Sequence, residues 1–120
     1  MHKFGVKRLI ILGTASIVDA QDKFDLQFSL LVAGVATVAR GAYKDVVAFG
    51  KVIRENTADL EWTIARVPLL TNKDSKDVIA GYIGDGRTKT TLSRAGFAYW
   101  VVQELHKSEW VRKAPLICSA

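Results

Sequence analysis

His2, His106 and Cys118 are the side chains best suited to hold a transition metal, and they stand too far apart in the chain for any usual ligand spacing. A serine nucleophile is equally unsupported, since no Gly-x-Ser-x-Gly elbow occurs and neither histidine falls in a strand-end loop. His106 suits a helix C-terminus, where its ordinary role is contact with the dipole. The carboxylates are spread out, with no pair placed for acid–base work. A Tyr-x-x-x-Lys pair, which could lower a tyrosine pKa beside a cofactor, is missing: four residues after Tyr43 stands Val47. Phosphate binding needs a glycine-rich turn between a strand and a helix, so that backbone N–H groups can approach the anion. Gly81-Tyr82-Ile83-Gly84-Asp85-Gly86 has its glycines in the wrong order and reads as a plain turn.

What remains is a strand end. Leu60, Trp62, Ile64 and Val67 carry the apolar and aromatic bulk of a sheet interior, and Pro68, with no N–H to donate, stops the ladder. In open α/β sheets ligands bind at the loops leaving the carboxyl ends of such strands. Arg66, one residue before that end, suits either a structural ion pair or contact with a ligand. Thr14 closes an earlier apolar run and suits either a strand-end backbone partner or a cleft residue. Trp62, Ile64 and Leu70 read most simply as sheet core.

The elements that must position these residues follow from periodicity. Val6 to Leu12 is a short apolar run ending at Gly13, as expected of a central parallel strand. Lys3-Phe4-Gly5 before it resembles a helix tail with a glycine cap. A small, polar loop runs from Gly13 to Asp22. Phe24 to Arg40 predicts a helix apolar on nearly every side, too short to span a bilayer that needs about 20 helical residues; it suits a buried helix or hydrophobic flap. Gly41 allows a break before a second helix, Tyr43 to Asn56, with Val46, Phe49, Gly50 and Ile53 as its core stripe and Lys44, Lys51 and Glu55 on another side. Strand Glu61 to Val67 leads to a polar loop, Thr71 to Asp77. Extended pieces follow at Val78–Ile83 and Thr88–Leu92, separated by the Gly84-Asp85-Gly86 turn. Ser93 suits the N-cap of a helix from Arg94 to Lys107, with Phe97, Trp100, Val101 and Leu105 toward a core. Ala114 to Cys118 suits a last strand. The order points to α/β with a parallel sheet, in one domain spanning 1–120.

The formal charge of +5 invites a nucleic-acid reading, but the 17 basic residues are scattered and no aromatic-interleaved basic cluster occurs. Solvated surface accounts for most of them, and no nucleic-acid partner is expected. A single cysteine excludes an internal disulfide and fits a reducing compartment. The N-terminus lacks the apolar stretch of a signal peptide, and a cytoplasmic location with no transmembrane segment is the expectation.

Four stretches resemble the C-terminal half of an atypical short-chain dehydrogenase/reductase, closest to the NmrA-like NAD(P)-binding proteins and the biliverdin reductase B (flavin reductase) type. Phe4 to Ile10 is similar to the helix end and strand that open the second half of that domain. Val52-Ile53-Arg54-Glu55-Asn56 followed by Leu60 to Leu70 resembles its helix and WTIxRPxxL strand. Thr91 to Ala98 resembles its ISRxDVA helix start, and Trp110 to Ile117 its closing strand. The resemblance implies a partial Rossmann-like parallel sheet whose N-terminal glycine-rich βαβ unit is absent from these residues. It implies NADP (or NAD) as cofactor and an unknown small-molecule substrate as partner. It places Thr14, Ser16, Lys51, Arg66, Val67, Pro68 and Leu69 at cofactor-binding positions, and leaves the catalytic residues unknown.

The chain also departs from the pattern. Thr14-Ala15 stands where relatives have Thr-Ser, Val67-Pro68 where they have Pro-Pro, Leu69 where a histidine can follow, and Gly96 in place of the helix-start aspartate. Three functional classes therefore stand open. The first is an NAD(P)-dependent oxidoreductase transferring hydride to a small or planar acceptor that touches the Phe24–Tyr43 region. The second is a non-catalytic dinucleotide-sensing or partner-binding module. The third is an inactive truncated product that self-associates through an exposed sheet edge.

Overall fold

A computed structural model describes residues 5–38, 40–56 and 60–120 of the chain. Strand β1 (Arg8–Thr14) and strand β2 (Glu61–Val67) lie side by side in parallel, in register from Arg8 opposite Glu61 to Thr14 opposite Val67. Between them come helices α1 (Leu26–Val38) and α2 (Arg40–Asn56). After β2 the chain forms the short strands β3 (Leu69–Thr71), β4 (Val78–Gly81) and β5 (Thr91–Ser93), then helix α3 (Arg94–Lys107) and strand β6 (Leu116–Ser119). The main sheet has the order β1-β2-β6-β4, and β3 pairs with β5 in a separate two-stranded ribbon.

Alternation along β2 divides the core. Trp62 and Ile64 face one side, where Ile17 and the Val46, Phe49 and Ile53 stripe of α2 cover them. Ala65 and Val67 face the other, against Trp100, Phe97 and Val101 of α3. Ile64 and Ala65 are wholly buried, as a strand covered on both faces requires. The predicted α2 stripe is therefore correct, Gly50 included: it is buried, and a Cβ there would stand 3.1 Å from Ile17 side-chain atoms.

Several predicted boundaries move. Strand β1 starts two residues later than the apolar run suggested and carries through Gly13 to Thr14. Helix α1 starts at Leu26, because the Asp25 carboxylate accepts the Phe28 amide at 3.1 Å and caps it. Gly41 lies inside the first turn of α2 and does not break it. Strand β2 and helix α3 occupy the predicted residues, and Ser93 is the N-cap of α3, its hydroxyl accepting from the Gly96 amide at 3.0 Å. The helix tail expected at Lys3-Phe4-Gly5 lies, for its first two residues, outside the described residues; Gly5 has φ +69°.

Three corrections are larger. The sheet is mixed, since β4 runs antiparallel to β6 while β1, β2 and β6 are mutually parallel. Pro68 removes the chain from the main ladder into the β3 ribbon, and it re-enters at the far edge in the opposite direction; an edge strand of a parallel sheet can be antiparallel. Leu70 is not core but lies exposed on β3. Leu105 is 53% exposed, and Glu104 takes the inward position at 3%. That carboxylate accepts from Arg8 Nη2 at 2.6 Å and from the Trp110 amide at 2.9 Å, so it is buried only because it is paired.

Candidate functional site

The carboxyl ends of β1 and β2 meet at the Thr14–Val67 pair. Just past Thr14 the chain turns tightly: the Ile17 amide donates to the Thr14 carbonyl at 3.1 Å, and the Ser16 amide to the Thr14 hydroxyl oxygen at 3.2 Å. Past Val67, Pro68 is buried while Leu69 stands 54% exposed at the rim. These two strand ends, roofed by Leu31 and Val32 of α1, enclose a cavity of about 110 Å³. Its walls include Thr14, Ser16, Val67, Pro68 and Leu69, so five predicted site residues come together in one place. Its lining side chains among the described residues are apolar or hydroxyl, and none of these is titratable.

Arg66 and Lys51 are not part of it. The Arg66 side chain has 0% exposure and points to the α2 side of the sheet. Nη1 and Nη2 donate to the two Asp22 carboxylate oxygens at 2.7 and 2.9 Å, a bidentate pair. Nη1 also donates to the Ile17 carbonyl at 2.9 Å and Nε to the Ala114 carbonyl at 2.8 Å. Of the two roles left open by the sequence, the ion pair is the one this side chain fills. Its bearing on the cavity is indirect, because it fixes the loop that carries Ala15 and Ser16. Lys51 is exposed on α2 and borders a different groove of about 240 Å³, beyond Ile17 and Val18.

Asp22 is the residue that sequence reasoning missed. Besides Arg66 it accepts the Asp19 amide at 3.0 Å and the Ile83 amide at 3.1 Å. The Lys23 amide donates to the Ile83 carbonyl at 2.6 Å, so the root of α1 is fastened to the loop after β4. An aspartate in a loop and an arginine 44 positions later give no local signal; only the fold brings them together. Beside this brace, burial pushes the Tyr82 phenol above its ordinary pKa and the Asp19 carboxylate pushes the same way, keeping it protonated. Burial also pushes the Cys118 thiol up, away from reactivity.

Ala15 and Val32 form a common wall between the cavity and a second, larger cleft of about 420 Å³. Phe24, Phe28, Ile83 and Tyr43 line that cleft, which runs along the inner side of α1. Helix α1, expected as a buried helix or hydrophobic flap, lines this mainly apolar trench with Phe28, Val32 and Ala36 and leaves Leu26 and Leu30 exposed. Among the described residues no cradle matches the dinucleotide phosphates: of the positive-φ glycines, Gly5 precedes a strand, and Gly84 and Gly86 sit in a turn held by Asp85 rather than before a helix. No group of histidine, cysteine and carboxylate side chains suited to a metal ion occurs among the described residues. Nor is any described helix long and apolar enough to cross a membrane.

A family profile described as NAD(P)H-binding matches residues 1–108. No curated protein sequence matches the chain. Among solved structures, a short-chain dehydrogenase/reductase from Veillonella parvula in complex with NADP superposes with a TM-score of 0.74 at 17% identity, over 98% of this chain and 53% of its own. An oxidoreductase from Lactococcus lactis gives a TM-score of 0.67 at 16% identity, over 99% of this chain and 49% of its own. A protein described as an NADH-flavin reductase, from Streptococcus pneumoniae, gives 0.66 at 15% identity, over 94% of this chain and 56% of its own. These likenesses establish the fold as part of a Rossmann-like α/β domain. The chain spans about half the length of the structures it matches.

Proposed function

The chain belongs to the NAD(P)H-binding family, and from that premise we propose that residues 1–120 form one portion of a dinucleotide-binding oxidoreductase domain, holding the nicotinamide of NADP or NAD. The observation that carries this reading is the cavity at the paired carboxyl ends of β1 and β2, with Thr14, Ser16, Val67, Pro68 and Leu69 in its walls. When bound, a reduced nicotinamide supplies a hydride to an acceptor. The chain's own residues orient and shelter the ring. Pro68 and Val67 present a rigid apolar face, and the Thr14 hydroxyl, held by the Ser16 amide, can donate toward the carboxamide. Leu31 and Val32 shield the ring from water on the side where the acceptor approaches. The phosphates fall to a glycine-rich unit of the kind missing from these residues, which would add beside the open edge of β1, the terminal strand of the described sheet.

A second reading, a non-catalytic NmrA-like dinucleotide-sensing module, is favoured by one specific observation. Among the described residues no titratable side chain lines the cavity, so they supply no group there that changes its protonation near neutral pH. Self-association through the same β1 edge is a proposal of equal standing with the addition of a βαβ unit there.

Titration with NADPH, followed by nicotinamide fluorescence and by amide chemical shifts, tests the proposal. Saturable binding with shifts concentrated at Thr14, Ser16 and Leu69, and little change at Lys51, is expected. A folded, monodisperse sample that binds no NADPH, or shifts only at Lys51, would sink it for this chain.

A further inference from the structure

The larger of the two cavities described above adjoins a third. Ala36 and Tyr43 line both the apolar trench and a groove of about 500 Å³ whose other walls are Thr37, Arg40 and Lys44. The trench therefore runs from the Ala15–Val32 wall that it shares with the Thr14–Pro68 cavity, along Phe28 and Ala36, to Arg40 and Lys44. Its character changes along the way. The middle is apolar, and the far end carries two cations with a phenol and a hydroxyl beside them.

The charges at the two ends are not equivalent. Near the root of α1, Asp22 is neutralised by Arg66, and Asp25 is occupied as a helix cap beside Lys23. At the far end, Arg40 and Lys44 stand four residues apart on one side of α2, a spacing at which like charges repel. Neither has an ion-pair partner among the described residues, and the first turn of α2 holds no acidic residue. The remaining carboxylate of that stretch, Asp45, is exposed in the second turn and does not line the groove. A groove with an apolar floor and an uncompensated cationic end complements a molecule with an apolar body and an anionic end.

We propose that this trench takes an amphipathic small-molecule anion. Its apolar body lies along Phe28, Val32 and Ala36, and its carboxylate, sulfonate or phosphate sits at Arg40 and Lys44. Taking the ligand as the substrate rests on the proposed function: the end opposite the anion then lies at Ala15 and Val32, next to the nicotinamide cavity. Helix α1, about 20 Å long at 1.5 Å per residue, is long enough for such a body.

Two fluorescent probes that differ by one sulfonate, 8-anilinonaphthalene-1-sulfonate and neutral N-phenyl-1-naphthylamine, test this without any dinucleotide present. The sulfonate is expected to bind roughly fivefold more tightly at low salt, the size two partly exposed cations supply, and the preference should fade as salt is added. Arg40→Ala with Lys44→Ala should equalise the two probes while leaving the neutral one unchanged. Both side chains are exposed, so this variant keeps its fold, as circular dichroism will verify. Ala36→Trp should weaken both probes. Equal affinities in the wild type, a preference that survives the double variant, or no effect of Ala36→Trp would each overturn the proposal. So would displacement of the sulfonate by phosphatidylglycerol vesicles that capture the chain, since the groove would then belong to a lipid surface. Failure of the NADPH titration with an intact anion preference would remove the proposed function but leave the anion site standing.

Discussion

Replacing Arg66 by methionine removes the guanidinium while keeping much of the side-chain volume. The native group is fully buried and makes four hydrogen bonds, two to Asp22 and one each to the carbonyls of Ile17 and Ala114. Removing one partner of a buried ion pair costs about 3–5 kcal/mol, mostly because the other charge is left behind. Asp22 is not left bare, since the amides of Asp19 and Ile83 still reach its carboxylate and its side chain is 15% exposed. That pulls the cost toward the lower end. The two orphaned carbonyls, worth about 1–3 kcal/mol apiece when unsatisfied, push it back up. A loss of about 4 kcal/mol is therefore expected for Arg66→Met. Asp22→Asn, which strands a guanidinium with no access to water, should cost a comparable amount, and the double variant less than the sum by about 1–3 kcal/mol. Arg54→Ala, which breaks the partly exposed 3.1 Å pair with Asp19, serves as the contrast and should cost no more than about 1 kcal/mol for the ion pair itself. Urea titrations followed by far-ultraviolet circular dichroism, compared at constant m, give these differences. A cost below about 1 kcal/mol for Arg66→Met, or strict additivity with Asp22→Asn, would refute the reasoning and reopen Arg66 as a ligand contact.

Gly84→Ala should destabilise by more than the roughly 1–2 kcal/mol of left-handed strain, because at φ +79° its new Cβ would stand 2.5 Å from the Lys23 carbonyl oxygen. Gly86→Ala, at φ +82° with nothing within 4 Å, should cost the strain alone; equal losses in thermal melts would contradict this comparison. Ser93→Ala removes both the cap on the Gly96 amide and the hydroxyl's bond to the Ser75 carbonyl, and should cost about 1–2 kcal/mol in urea titrations. Burial raises the Asp85 pKa, but the amides of Arg87, Thr88 and Tyr82 outweigh it and hold the carboxyl below its ordinary value. Its contribution to stability is therefore present above the ordinary carboxylate range and lost as the pH falls through that range to the lowered value. In stability measurements between about pH 2 and pH 6, Asp85→Asn should be the weaker protein at the upper end and converge with wild type at the lower; a constant gap would disprove the linkage.

Much of the frame was legible in local signals. Apolar and aromatic bulk with a following proline marked β2 and its exit, and a serine followed by a helical run marked α3. The α2 stripe was legible because four positions at helical spacing carry it. Failures came where the deciding partner is distant. Leu105, expected in the core, lies outward beside an inward Glu104, because Arg8, 96 positions away, supplies the charge that lets that carboxylate turn inward. The antiparallel course of β4 depends on where the β3–β5 ribbon returns the chain, which no pattern within Val78–Gly81 records. The placement of the residues named for the candidate site follows the same division between topology and side-chain direction. Thr14, Ser16, Val67, Pro68 and Leu69 meet because two strands in parallel register end together, a consequence of topology alone. Lys51 and Arg66 depend on where a long side chain points, and a strand or helix assignment does not fix that.

Arg66 joins these strands of argument. Its type and position at a strand end suited a group that greets an anionic cofactor, yet alternation puts it on the α2 face while Val67 takes the cavity face. Moving Arg66 one position along the strand would exchange those roles. The guanidinium instead ties three separate segments, the loop after β1, the end of β2 and the approach to β6, through Asp22, Ile17 and Ala114. The first of these segments carries Ala15, the wall between the ring-sized cavity and the apolar trench. Under the proposed function, a site whose described lining has no titratable group depends on such walls for its selectivity. On the proposed function, preorganisation of Ala15 and Ser16 by the buried ion pair behind them is the part that this chain itself supplies.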